Sequence, residues 1–208
     1  MPKKLKSAII AILLIAVIAL LCFFIKRPSK NDWLCIPGER VGPITSKTSE
    51  KQLIDFFGKE NVQREQIVVG EGEGYETATF VFKDSKDEIV VRWKEDGLFV
   101  KPLSVSVFKV GTQWRTPEGI TIGTSLNELN EINGEEFSIS RLGWQFGGYI
   151  GSWNNGTLSR YKERGIMIRL AEQDDVNLPM KFYRDSFSSK EILIYVGMAV
   201  DLIRINLF

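Results

Sequence analysis

The chain has 208 residues, with 27 Lys or Arg, 26 Asp or Glu, two cysteines and no histidine. The missing histidine excludes Ser-His-Asp and Cys-His catalysis and every His-ligated metal site. Two cysteines cannot supply a four-thiolate centre or a disulfide framework, so no cofactor or metal is expected. Charge is unevenly spread. Residues 1–30 hold six basic side chains (Lys3, Lys4, Lys6, Lys26, Arg27, Lys30) and no acid, leaving 21 basic against 26 acidic side chains and a formal charge of −5 for the remaining 178 residues. A surface of that sign argues against nucleic acid as a partner.

Ala8 to Ile25 is an unbroken run of 18 apolar residues. As a helix it would be roughly 27 Å long, close to the hydrocarbon thickness of a bilayer. A cleaved signal peptide wants a shorter apolar region and small residues before the cut. The run passes instead straight into Cys22-Phe23-Phe24-Ile25-Lys26. A lipoprotein signal wants a small residue before its cysteine, and Cys22 follows Leu20-Leu21. The favoured expectation is a retained single-pass signal-anchor over residues 8–25, within an anchor and basic flanks at 1–30. The short lysine-bearing tail stays inside under the positive-inside rule, which places the C-terminal domain outside the cytoplasm. Lys26, Arg27 and Lys30 pull mildly the other way.

Residues 31–40, with Pro37 and Gly38, read as a linker carrying Cys35. The expectation for Cys35 is an unpaired small hydrophobe, with an intermolecular disulfide as the alternative.

A first unit is expected over 41–111. Residues 44–58 (ITSKTSEKQLIDFFG) predict a capped amphipathic helix at 48–57, with Thr48 as N-cap and Gly58 as the left-handed stop. Alternating strands follow at 62–69, 77–82, 88–93 and 103–110, with turns at 70–74, 84–87 and 96–97. Gly70-x-Gly72-x-Gly74 lacks the spacing of a phosphate cradle and holds Glu71 and Glu73, so it reads as a hairpin tip.

A second unit is expected over 112–208. Residues 120–134 (ITIGTSLNELNEING) echo 44–58 at a constant offset of 76, matching Ile44 to Ile120, Thr48-Ser49 to Thr124-Ser125, Leu53 to Leu129 and Gly58 to Gly134. A second helix at 124–133 follows, capped by Thr124, and then strands at 136–142, 145–150, 157–161, 165–171 and 202–207. The fold class predicted is α+β: one transmembrane helix, then two degenerate repeats of a helix on an antiparallel sheet.

The segments Trp114–Gly134 and Gly143–Gly156 are similar to stretches of uncharacterised bacterial envelope proteins, a likeness that covers mainly residues 112–158 and implies no known activity. The repeat plan also resembles in layout tandem helix–sheet envelope modules such as the beta-lactamase inhibitor protein and small outer-membrane-assembly lipoproteins.

Two features bear on function. Paired carboxylates (Glu71 with Glu73, Glu135 with Glu136, Asp174 with Asp175) are the remaining route to hydrolysis, but each pair is local to a turn or loop. The segment Gly143–Trp153 places Trp144, Phe146, Tyr149 and Trp153 among glycines. As one strand it would bury Trp144 and Phe146 on the core face and leave Tyr149 and Trp153 on the open one. Packing inside the core is the favoured reading of these aromatics; on the functional reading the four are the candidate binding surface for a sugar, peptide or partner edge. The expectation is therefore a membrane-anchored envelope protein that binds or scaffolds, with an envelope protein or polymer as partner. A histidine-free carboxylate hydrolase acting on envelope polymers is the alternative.

Overall fold

Period-two alternation along the longest strands builds the central element, an antiparallel six-stranded sheet. The computed structural model describes residues 32–208 apart from 73, 96, 145, 174–177 and 196, and only the backbone of Glu71. The apolar run at 8–25 lies outside these residues. Among the described residues no helix is long and apolar enough to cross a membrane.

The elements run β1 (Cys35–Ile36), β2 (Arg40–Val41), β3 (Ile44–Thr45), α1 (Glu50–Phe57), β4 (Val62–Val69), β5 (Gly74–Val81), β6 (Ile89–Trp93) and β7 (Pro102–Val107). They continue with α2 (Leu126–Asn133), β8 (Ser138–Ile139), β9 (Ile150–Ser152), α3 (Arg160–Glu163), β10 (Ile166–Glu172), α4 (Lys181–Arg184), β11 (Phe187–Ser188), α5 (Ser189–Ile192) and β12 (Met198–Asn206). The fold is mixed α+β. The main sheet has the order β10-β12-β7-β6-β5-β4, with two small sheets, β1-β2-β3 and β11-β8-β9, beside it.

The four strands after α1 form a meander, as the alternation predicts. The second half does not build a sheet of comparable size. Its strands β10 and β12 instead extend the first sheet, through pairing of Ile203–Asn206 with Ser104–Val107. Expected strands at 136–142 and 145–150 shrink to β8 and β9. Residues 157–159 form a turn leading into α3, which takes up 160–161, because Asn133 takes Thr157 N–H on its carbonyl (2.8 Å) and Leu158 N–H on Oδ1 (3.1 Å). Those bonds divert the backbone from any ladder.

Register fixes which side chains share a face. Ile89, Val91 and Trp93 of β6, Val105 and Val107 of β7, and Ile203 and Ile205 of β12 turn inward to one core that includes Leu53 of α1 and Leu126 and Leu129 of α2. Residues 32–40, read as linker, contribute to that core. Cys35 N–H donates to the Arg115 carbonyl, Arg115 N–H donates to Trp33, and the Trp33 and Trp114 rings meet edge-on at 4.7 Å. Cys35 is fully buried, and burial first, then the Asp32 charge, push its thiol up to about 12 against the opposing effect of Arg40.

The two long helices start alike. Thr48 Oγ1 accepts from Thr45 N–H and Thr124 Oγ1 from Thr121 N–H, each at 2.9 Å. The threonines are thereby engaged in the turn before the helix, and the N-caps are Ser49 and Ser125 instead of Thr48 and Thr124. Each serine forms a capping box, with Gln52 and Glu128 respectively. Gly58 and Gly134 follow the helices with φ of +91° and +73°.

One buried cluster fastens α1 to the sheet. The Glu50 carboxylate accepts from Thr79 Oγ1 at 2.7 Å and from Arg64 Nε at 2.9 Å, while Trp93 Nε1 donates to Thr79 Oγ1 at 3.0 Å. The Arg64 guanidinium lies 3.6 Å from the Phe99 ring centroid. Burial opposes ionisation of Glu50, but the hydrogen bonds from Arg64 and Thr79 outweigh it and hold the carboxyl below its ordinary value.

Two outcomes follow for stability. Replacement of Gly134 by alanine should cost about 1 kcal/mol in urea denaturation. Gly58→Ala should cost more, roughly 1–3 kcal/mol, because its ψ of 145° lies in a region close to glycine-only. Glu50 has a folded pKa below its unfolded one. Its contribution is full above the unfolded value and lost as pH falls through the folded value. Glu50→Gln should therefore flatten the acid limb of stability against pH.

Candidate functional site

The outer face of the main sheet is built from the residues that alternate with the core set. It carries Glu76 and Ala78 of β5, Val90 and Arg92 of β6, Ser104 and Ser106 of β7, Leu202, Arg204 and Asn206 of β12, and Met167 and Arg169 of β10. The sheet curls. Ile67 and Val69 of β4, at one edge, and Arg169 of β10, at the other, line a single cavity of about 510 Å³. β4 and β5 pair over eight residues while β6 meets β5 only at Thr79–Val81, so the upper half of the hairpin is free to bend over the face. Phe108, Phe146 and Tyr149 complete the wall, and Arg92, Arg204 and Leu202 form the floor.

Each of three apolar strands contributes one arginine to this face. Arg92 makes a two-pronged contact with Glu76, including Nη2 to Oε2 at 2.8 Å. Arg169 grips Asp201 through Nε at 2.9 Å and Nη2 at 2.6 Å. Hydrogen bonding to Glu76 and to Asp201 raises the pKa of Arg92 and Arg169 respectively, against the opposing effect of burial. Arg204 differs. Its Nε donates to Ser106 Oγ at 3.2 Å, and it has no ion pair among the described residues. Burial, with the like charges of Arg92 and Arg169, lowers its pKa, while Tyr149 and Glu76 act in the opposite sense. A second hollow of about 400 Å³ lies along the same face between Arg92, Ser104, Met167 and Phe208. The Ser104 hydroxyl there is a buried side-chain polar atom with no hydrogen-bond partner among the described residues.

The four aromatic candidates fall out in the reverse of the expected order. Trp144 and Phe146 are 43% and 47% exposed, whereas Trp153 is 5% exposed and Tyr149 is half-buried. The strand assumption behind the expectation fails at Gly143–Gly148, where the described residues form a bend at 143–144 and a turn at 146–148. Gly147 N–H donates to the Trp144 carbonyl, and Ser140 Oγ accepts from Tyr149 N–H at 3.0 Å while donating to the Phe146 carbonyl at 3.1 Å. Only from Ile150 does the chain resume a strand. Gly148 sits against the sheet edge, its carbonyl accepting from Leu170 N–H at 2.9 Å, and a Cβ there would meet the Leu170 carbonyl oxygen at 2.2 Å. Only glycine allows that docking.

Trp144 and Phe146 pack edge-on to each other at 5.2 Å, with the Arg141 guanidinium 4.7 Å from the Trp144 ring. Tyr149 pairs with Arg169 through the backbone, and its ring lies 5.9 Å from that guanidinium. Trp153 is core, against Phe137 at 5.0 Å and Tyr161 at 6.0 Å. The structure thus brings Phe146 and Tyr149 to one cavity, sets Trp144 beside them and removes Trp153. Of the carboxylate candidates, Glu136 accepts from Ser188 Oγ at 2.6 Å, while Glu73, Asp174 and Asp175 lie outside the described residues. The arginines were missed by sequence reasoning. Their signal was a single charged residue, an Arg, on the outer parity of largely apolar stretches: IVVRW, IMIRL and LIRIN.

Comparison with family models, with curated proteins and with solved structures finds no match to this chain.

Stability separates the rings. Trp153→Ala should cost roughly 3–5 kcal/mol, and Trp144→Ala should stay within about 0.5 kcal/mol of the parent. Chemical denaturation of both variants checks the contrast.

Proposed function

We propose that the chain is a membrane-anchored envelope protein whose C-terminal domain is a binding or scaffolding module, with its occupant received on the curled outer face of the sheet. The observation that carries this reading is the 510 Å³ cavity, whose wall includes the exposed Phe146 and whose neighbour is the exposed Trp144. Concave sites lined by apolar and aromatic groups with a few convergent polar ones are the usual form of ligand sites. The apolar run 8–25 supports a single-pass anchor with the domain outside the cytoplasm. The likeness of residues 112–158 to uncharacterised envelope proteins supports the same compartment. The matched helix starts at 44–58 and 120–134 support two degenerate copies, the second grown onto the sheet of the first. Among the described residues nothing favours the hydrolase alternative, since Glu76 and Asp201, beside the cavity, are each engaged by an arginine.

The full-length protein should sediment with membranes and resist alkaline extraction. A photo-crosslinker placed at Phe146 in those membranes should capture a discrete envelope component, while one at Ile194, exposed but outside the cavity wall, should not. Equal capture from both positions would remove the cavity from the account.

A further inference from the structure

We propose that the cavity takes a singly charged carboxylate carried on an apolar body, and that Arg204 is the residue that receives the carboxylate. This rests on the binding reading above and names the ligand class for the same site. Of the three guanidiniums on the face, Arg92 and Arg169 each have their charge met by a two-pronged carboxylate partner within the protein. Arg204 keeps its terminal nitrogens without a hydrogen bond among the described residues. Its planar fork matches a carboxylate in two parallel hydrogen bonds, the strongest recognition that an arginine offers.

Such an arginine is unfavourable in the free protein. It is partly desolvated and stands between two like charges, and a charge withdrawn from water without a partner destabilises. The fold does not require it. Position 204 faces away from the core, opposite Ser106, where an apolar side chain would sit beside Leu202 without any charge to solvate. An unfavourable cation in the floor of a concave site is the arrangement expected where an anion is to be bound.

The charge balance selects the ligand. Among the described residues, Arg92, Arg169 and Arg204 face Glu76 and Asp201, leaving one positive charge uncompensated on the 510 Å³ cavity. One charge suits a monoanion better than a phosphate dianion. The walls select the rest of the molecule, because Ile67, Val69, Phe108, Phe146 and Leu202 offer an apolar body its complement. The unpartnered Ser104 hydroxyl, opposite both Arg92 and Asn206 in the ladder, shows that polar capacity on this face exceeds what the protein itself uses.

The test uses full-length protein in phosphatidylcholine nanodiscs, titrated calorimetrically with 3-phenylpropionate, its neutral amide 3-phenylpropanamide, and phenyl phosphate. The carboxylate should bind about tenfold or more tightly than the amide, as charge-assisted hydrogen bonds require, and tighter than phenyl phosphate. Arg204→Met should erase the preference for carboxylate over amide, Arg204→Lys should retain part of it, and Phe146→Ala should weaken both probes together. Arg204→Met should also raise the urea midpoint of the ligand-free protein, whereas loss of a structural arginine would lower it. If amide and carboxylate bind equally and Phe146→Ala weakens both, the carboxylate assignment falls while the binding face stands. If phenyl phosphate binds tightest, the single-charge assignment falls. If no probe binds to the parent protein, both readings fall.

Discussion

The pairing of Ser104–Val107 with Ile203–Asn206 is the contact on which the architecture turns. It joins residues almost a hundred positions apart and makes one sheet out of two segments that would otherwise each expose an edge. On the inner side it brings Val105 and Val107 against Ile203 and Ile205, the centre of a core that reaches both long helices. On the outer side the same register sets Arg204 opposite Ser106. A slip of one residue would exchange the two sets, burying an arginine and exposing two isoleucines. Core and cavity are therefore specified by one alignment of strands.

Like charges crowd the outer face, and the protein manages them by local neutralisation. Glu76 reaches Arg92 diagonally across a strand pair, and Asp201, next to the irregularity at Arg169–Leu170, turns toward Arg169. Bidentate contacts of this kind fix a guanidinium plane as well as its charge. The two outer arginines are held by carboxylates and the central one makes no ion pair among the described residues, so the arrangement proposed to take a carboxylate is set by the fold itself. Preorganisation of this sort lowers the ordering cost of binding.

Much of the first half was legible because its physics is local. Alternation placed β4 to β7 and the echoed threonine-serine pairs located both helices; Gly134 is the left-handed stop expected of it, whereas Gly58 has a positive φ but a ψ of 145°, outside the left-handed region. The second half was less legible because tertiary contacts override its pattern. Asn133 turns 157–158 away from a strand, and Ser140 with Gly148 holds 146–148 in a turn, so a face assignment by parity put Trp144 and Trp153 on the wrong sides. The same sequence held a quieter signal in the single arginine of each apolar strand. Its meaning depends on the sheet order β10-β12-β7-β6, which parity along one strand cannot supply.

Cys35 gives the small N-terminal sheet an intrinsic clock. Its thiol is enclosed and held near a pKa of about 12, so at pH 8 only on the order of one thiol in ten thousand is ionised in the closed state. Alkylation by a soluble reagent then proceeds almost wholly through openings that release Cys35 from Arg115 and Trp33 from Trp114. The labelling rate reads out the free energy of that opening, since the reagent reaches the sulfur only when the segment parts. This sheet is the first element of the described residues, so the labelling rate at Cys35 reports on the N-terminal end of the domain separately from the six-stranded sheet.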